Sequence, residues 1–212
     1  MGTINKGILG GFSGKVGNVV GGTWKGIDYM RSKSSRRNFT PTQLQLEQQL
    51  KFTEAIRFVQ TMSGLVEISF RNFAIRKTGM NSALSYTLKN AITGTYPLYS
   101  IQYADALVSR GDLPNVLAPA VVSGAGSILT WSWTDNSGVG IAKPTDKAML
   151  VAYCPALKQC IYTTGSASRS ALTDSLNLTA FSGQDVYTWI GFISENGQDV
   201  ANSIYTDRFA VS

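Results

Sequence analysis

The sequence predicts an α+β protein with a glycine-rich extended N-terminal arm, a short helical region and a C-terminal antiparallel β-sandwich. Three observations support this class: nine glycines lie in the first 26 positions, a helix-capping motif follows at residues 40–43, and eight strand-like segments follow residue 98. We therefore divide the 212 residues into an arm at 1–39, a helical region at 40–97 and a sandwich domain at 98–212.

The arm is predicted to be extended because glycine is a poor helix former, costing ~1 kcal/mol relative to alanine inside a helix. Its bulky residues occupy even positions, which predicts one apolar face, with turns at Ser13-Gly14 and Gly17-Asn18. These side chains are too few to form a core, so we expect the arm to pack against the rest of the protein or against a partner. The bulky residues are Ile8, Phe12, Val16, Val20 and Trp24.

The helical region begins at Thr40-Pro41-Thr42-Gln43, a capping box with proline at the first helical position. The segment Leu44–Met62 then shows an apolar face at helical spacing. A break at Ser63-Gly64 separates it from two further predicted helices, which cover Leu65–Ile75 and Asn81–Ile92.

Segments typical of strands recur at regular intervals after residue 98, which favours a sandwich of antiparallel sheets. Apolar and polar residues alternate in Leu129–Thr134, and Asn196-Gly197 is a strong hairpin signal. The predicted strands are Tyr99–Val108, Ala118–Val122, Ser127–Trp133, Ala148–Cys154, Cys160–Thr164, Ser170–Leu178, Val186–Ser194 and Ser203–Val211.

The order Leu178, Gly183, Tyr187 resembles the tyrosine corner of fibronectin type III and related immunoglobulin-like domains. The resemblance covers about residues 115–212. It implies that Trp131 or Trp133 is the core tryptophan of an early strand.

Positive charge is concentrated at the N-terminus. The net charge is +6; residues 1–40 carry seven basic side chains against Asp28 alone, whereas residues 91–212 carry six basic and nine acidic side chains. A basic arm can bind nucleic acid, or it can dock on the acidic half of a neighbouring copy. The residues expected to contact a partner are Phe12, Lys15, Val16, Val20, Trp24, Lys25, Arg31, Arg36 and Arg37.

The glycine-rich stretch Gly7–Gly22 does not fit a Walker A phosphate-binding loop, which needs glycine where Leu9 stands and Ser or Thr where Val16 stands. No βαβ pattern surrounds it, which excludes a dinucleotide fingerprint. The chain has no histidine, and Cys154 and Cys160 cannot form a zinc site without other ligands. These cysteines either form a strained disulfide across a hairpin or remain thiols. We expect no enzymatic activity, no cofactor and no metal.

No apolar run reaches the ~20 residues that cross a bilayer, and no signal peptide is visible. These observations predict synthesis in the cytoplasm and no membrane insertion.

The segments Gly7–Gly17, Trp24–Gly26, Leu88–Gly94 and Val108–Leu113 resemble recurring segments of a family of unknown function, about this long and encoded in Bacteroidetes. The resemblance spans essentially the whole chain and supplies no catalytic or binding residues. It implies that members travel with phage-like or mobile-element genes.

Our leading hypothesis is a non-enzymatic subunit of a phage-derived particle, tube or filament, which docks through its arm on itself or on other particle proteins. A virion or another assembled particle is then the expected location. The alternative is a nucleic-acid-binding protein that uses the same basic arm. A third hypothesis is a β-sandwich adhesin or surface-binding module.

Overall fold

A computed structural model describes residues 2–4, 11–34, 40–74 and 76–211 of the chain. The chain divides into two units, residues 1–42 and 43–212. The helices share the second unit with the sandwich, whereas the sequence analysis placed them in a region of their own. Among the described residues, no helix combines the length and apolar character that a membrane crossing requires.

The first unit is an antiparallel sheet in which neighbours along the chain pair with each other. Its described strands are β1 (Thr3–Ile4), β2 (Phe12–Val16), β3 (Val19–Trp24) and β4 (Ile27–Ser32), in that spatial order. The extended conformation predicted for the arm is therefore confirmed over these strands.

Two-residue turns join β2 to β3 and β3 to β4, and both use positive φ angles. Gly17, with φ 57°, opens the predicted turn at Gly17-Asn18. Lys25 and Gly26, with φ 48° and 79°, form the next turn in the manner of type I′ hairpins. The predicted turn at Ser13-Gly14 is wrong, because both residues lie inside β2.

Helices open the second unit. They are α1 (Gln43–Gln60), α2 (Ser63–Ser69) and α3 (Gly79–Asn90). A helix follows the capping motif as predicted, but it starts at Gln43, so Pro41 precedes the helix instead of occupying its first position. The break between the first two helices falls at Thr61-Met62, and the predicted Ser63-Gly64 forms the start of α2. α2 ends earlier than predicted, and a 3-10 turn at Arg71–Phe73 follows it. α3 starts two residues earlier than predicted because the Thr78 side chain accepts a hydrogen bond from the Asn81 amide at 3.1 Å and caps the helix.

A hairpin leads from α3 to the sandwich. It consists of β5 (Ile92–Thr95) and β6 (Leu98–Ile101), with a cis peptide bond between Tyr96 and Pro97 in the turn. The strand predicted over Tyr99–Val108 ends at Ile101, and a 3-10 turn follows at Tyr103–Asp105.

The sandwich consists of two antiparallel sheets. One has the order β11-β8-β7 and the other the order β10-β9-β12-β13, which confirms the predicted fold class. The strands are β7 (Leu117–Gly124), β8 (Ile128–Thr134), β9 (Lys147–Cys154), β10 (Gln159–Tyr162), β11 (Thr173–Asn177), β12 (Asp185–Ile193) and β13 (Ile204–Ala210).

The second unit has a hydrophobic core on each side of the β10-β9-β12-β13 sheet. The inner core lies between the two sheets and contains both Trp131 and Trp133. The outer core lies between the same sheet and the helices, where Trp189 packs with Phe58 at a ring-centroid distance of 6.0 Å. β9 is therefore buried along nearly its whole length, which explains its continuous apolar sequence.

The two cores also show whether Cys154 and Cys160 form a disulfide. Cys160 is paired with Tyr153 across the β9–β10 hairpin, so it lies on the opposite sheet face from Cys154. Cys154 belongs to the inner core and Cys160 packs on the outer core, and both are free thiols. Tyr187, which resembled a corner tyrosine, lies on the outer face with its ring centroid 4.0 Å from that of Tyr103.

Candidate functional site

The sheet of the first unit has almost no core of its own. Gly21 is the only buried residue among those that the structure describes in this unit. Large apolar side chains are exposed instead: 53% of Val16, 47% of Trp24, 60% of Ile27 and 70% of Met30. Such a surface is typical of a segment that packs against another molecule.

Strand register assigns the side chains of this sheet to two faces. Val20 stands opposite Lys15 on β2 and opposite Arg31 on β4, so these three residues share one face. Because side chains alternate along a strand, Trp24 and Tyr29 lie on the same face. We call it the basic face; its described members are Ser13, Lys15, Val20, Gly22, Trp24, Ile27, Tyr29 and Arg31.

The other side of the sheet is the apolar face. Val16 stands opposite Val19, and Met30 stands opposite Gly21. Phe12 lies on this face as well, because it is separated from Val16 by an even number of residues on β2. The members of the apolar face are Phe12, Gly14, Val16, Val19, Gly21, Thr23, Asp28, Met30 and Ser32.

The predicted single face of even-numbered residues is therefore wrong. Phe12 and Val16 lie on the apolar face, whereas Val20 and Trp24 lie on the basic face. The reason is the two-residue turn after Val16, which pairs even positions of one strand with odd positions of the next. The same rule would have identified Val19, Ile27, Tyr29 and Met30, which the sequence analysis missed.

Aromatic rings lie directly over glycines in this sheet. A Cβ atom on Gly21 would stand 2.1 Å from the carbonyl oxygen of Phe12 and 2.8 Å from its ring. On the basic face, a Cβ atom on Gly22 would stand 3.2 Å from the Tyr29 hydroxyl. Glycine at these two positions permits the aromatic residues to pack close to the backbone.

The charges of the first unit are separated between the two faces. Lys15 and Arg31 lie on the basic face, and Lys25 in the adjacent turn has its Nζ 5.4 Å from the Trp24 ring centroid. Asp28 lies on the apolar face, where it accepts a hydrogen bond from the Thr23 hydroxyl. The described part of the basic face therefore carries cations and aromatic rings without a carboxylate.

The structure brings together most of the predicted contact residues. Lys15, Val20, Trp24 and Arg31 share the basic face and Lys25 borders it, while Phe12 and Val16 lie on the opposite side. Arg36 and Arg37 lie outside the described residues. Within the described sheet, β4 is an edge strand, and all its residues are exposed. An exposed edge can accept a further strand through its backbone groups.

Comparison with known protein families identifies the family to which the chain belongs. A family profile described as "Family of unknown function (DUF6266)" matches residues 11–207. The chain belongs to DUF6266. A solved structure, the fn3 domain of human collagen alpha-1(XX) chain, is similar with a TM-score of 0.35 and 12% identity, over 49% of this chain and 90% of that chain. No curated protein matches the chain.

The second unit of this DUF6266 member contains cavities but no recognisable metal centre in its described residues. Across the ranges that the structure describes, no three His, Cys, Asp or Glu side chains stand close enough to hold a metal ion. A cavity of about 450 Å³ is lined by Asp146, Glu195 and Asp199 together with Lys143 and Ile141. We take the sheet of the first unit as the candidate site because of its exposed apolar side chains.

Proposed function

We propose that this protein is a non-enzymatic structural subunit that assembles by docking its N-terminal sheet on a second copy of the chain. The observation that carries the proposal is a sheet with exposed apolar side chains on both faces and one buried residue among those described. A small sheet gains independent stability only when it covers an apolar face. A partner surface supplies that cover.

Charge favours a second copy as the partner. The basic face carries Lys15 and Arg31 without a described carboxylate, and Lys25 borders it. Residues 91–212 of the same chain carry nine acidic and six basic side chains. Docking the basic face of one copy on the acidic region of another therefore brings opposite charges together, which favours encounter and orientation.

The resemblance described above suggests the kind of assembly. It implies that members travel with phage-like or mobile-element genes, so our candidate assembly is a particle, tube or filament derived from such an element. Other proteins of the particle are further partners under this proposal.

Trp24 gives the energetic scale of docking. A tryptophan has up to about 250 Å² of surface, and 47% of Trp24 is exposed. Covering the remaining area of about 120 Å², at about 25 cal/mol per Å², stabilises the assembly by about 3 kcal/mol. That energy corresponds to a factor of roughly 100 in the dissociation constant.

The test uses one variant on each face of the sheet and a control. Trp24→Ser changes the basic face and Met30→Ser the apolar face, while Leu157→Ser removes a side chain that is 44% exposed in the second unit. Sedimentation velocity across a dilution series measures self-association of the intact proteins. We expect Trp24→Ser to weaken it roughly 100-fold and Leu157→Ser to leave it unchanged. Equal behaviour of all three variants and the wild type would contradict the proposal.

The second candidate function is nucleic-acid binding by the same face. The observation in its favour is the combination of Lys15 and Arg31 with the rings of Trp24 and Tyr29, since cations follow a phosphate backbone and aromatic rings stack on bases. Sedimentation with and without nuclease separates the two functions. Complexes that disappear with nuclease and weaken steeply with salt would favour nucleic acid over self-assembly.

A further inference from the structure

A cavity of about 380 Å³ in the second unit is lined by cations and hydroxyl groups. Lys77, Lys89 and Arg110 contribute the positive charge, and Ser82, Ser85 and Tyr86 contribute hydroxyls. The eight lining residues include no carboxylate. This cavity is independent of the N-terminal sheet and of the function proposed for it.

Helix geometry explains how α3 builds one wall. Ser82, Ser85, Tyr86 and Lys89 follow one another at intervals of three, one and three residues, which places them on one side of the helix. Lys89 lies in the last turn of α3, where a cation is stabilised by the helix dipole.

Arg110 lines the cavity from a tightly held loop. Its backbone N–H donates to the Ser69 carbonyl at 3.1 Å. The preceding Ser109 hydroxyl donates to the Ala201 carbonyl at 2.8 Å. The following Gly111 lies so close to Val200 that a Cβ atom would stand 2.0 Å from its carbonyl oxygen. These contacts hold the backbone on both sides of Arg110, and they therefore fix the position of its Cα atom.

The guanidinium of Arg110 is stacked against aromatic rings and has no ion-pair partner among the residues that the structure describes. Its central carbon lies 4.2 Å from the ring centroid of Phe73 and 5.5 Å from that of Tyr86. In the described part of the chain, neither Arg110 nor Lys89 has a carboxylate within 4.0 Å. Stacking holds the planar group in place while leaving its N–H donors at the rim available for a planar or tetrahedral oxyanion.

We infer that this cavity is a binding site for a phosphate group. A phosphate group presents anionic oxygens in a tetrahedral arrangement, which matches the fork of Arg110, the ammonium group of Lys89 and the hydroxyls of Ser85 and Tyr86. The segments Leu88–Gly94 and Val108–Leu113, which the sequence analysis singled out, meet here through Lys89 and Arg110.

The test titrates the intact protein with sodium phosphate, using sodium chloride at equal ionic strength as the reference, and follows binding by isothermal calorimetry. Arg110→Gln and Lys89→Gln each remove one cation from the cavity; Arg208→Gln removes an exposed arginine elsewhere and is the matched control. We expect saturable phosphate binding that weakens about tenfold or more in both cavity variants and is unchanged in Arg208→Gln. Lys89 is exposed at a helix end, so its variant tests the site even if Arg110→Gln fails to fold.

A competition arm identifies the source of the phosphate group. An unphosphorylated oligothymidylate that displaces inorganic phosphate shows that a nucleic-acid backbone occupies the cavity. An oligothymidylate that leaves phosphate bound shows that a free phosphate or phosphomonoester does. Absence of saturable binding to the wild type, or equal phosphate affinity in Lys89→Gln and the wild type, would overturn the assignment.

Discussion

Arg169 forms a buried ion pair on which the second unit should depend strongly. The residue is fully buried, and its Nη2 lies 3.2 Å from Oδ2 of the equally buried Asp146. Its other donors bind the Asn136 side chain at 2.6 Å and the Pro114 carbonyl at 2.9 Å. Burial lowers the pKa of the Arg169 guanidinium, whereas the Asp146 carboxylate acts in the opposite direction. Oδ1 of Asp146 has no hydrogen-bond partner in the described chain.

Replacing Arg169 with methionine therefore leaves a buried carboxylate without its counter-ion. Removing one partner of such a pair costs about 3–5 kcal/mol of unfolding free energy. With a urea dependence of about 2 kcal/mol per molar, the midpoint should fall by about 2 M. Arg208 offers the matched control, because its pair with Asp185 leaves 56% and 46% of the two side chains exposed. Arg208→Met should cost at most about 1 kcal/mol.

Urea unfolding followed by tryptophan fluorescence measures Arg169→Met, Arg208→Met, Asp146→Leu and the double variant Arg169→Met/Asp146→Leu. We expect the double variant to be more stable than Arg169→Met alone, because it contains no uncompensated charge. If Arg169→Met lost no more stability than Arg208→Met, the ion pair would not have the structural role described here. A double variant as unstable as the sum of the two single variants would refute the coupling between the charges.

Two further predictions concern the first unit and the outer core. Gly21→Ala should open the N-terminal sheet because its new methyl group would stand 2.1 Å from the Phe12 carbonyl oxygen, whereas the methyl group of the control Gly22→Ala meets only the end of the Tyr29 side chain. Hydrogen exchange of the strand amides should therefore be faster in Gly21→Ala than in Gly22→Ala. Equal exchange in the two variants would be evidence against the sheet. Burial raises the pKa of Tyr153 from 10.0 to about 12. The unfolded chain releases the Tyr153 hydroxyl proton at lower pH than the native protein does, so the free energy of unfolding should fall as the pH rises from 10 to 12. Urea midpoints that stay constant between pH 10 and 12 would contradict the burial of Tyr153.

The sandwich could be predicted from the sequence because its signals are local. Alternation along Ile128–Thr134 places Trp131 and Trp133 on one face, and the structure buries both in the inner core. The continuous apolar run of β9 indicated a strand, but sequence alone did not show that helices cover its outer face. The register of the β9–β10 hairpin places Cys154 and Cys160 on opposite faces, which the sequence analysis had left open.

The faces of the N-terminal sheet required the pairing register and could not be obtained from even and odd positions alone. A turn of two residues reverses the relation between position and face, so Val16 and Val20 end on opposite sides. The basic cavity was beyond sequence reasoning for a different reason. Lys89 and Arg110 are brought together by the tertiary packing of α3 and the loop after Val108, and no periodic pattern relates two residues in such different elements.

Light scattering coupled to size-exclusion chromatography, applied to the intact chain after nuclease treatment, measures most directly whether the N-terminal sheet mediates self-assembly. We predict a molar mass above the 22.9 kDa of one chain that rises with concentration. At the same concentration, Trp24→Ser should return the mass towards that of one chain. A wild-type mass of 22.9 kDa at every concentration, unaffected by the substitution, would contradict assembly through this sheet.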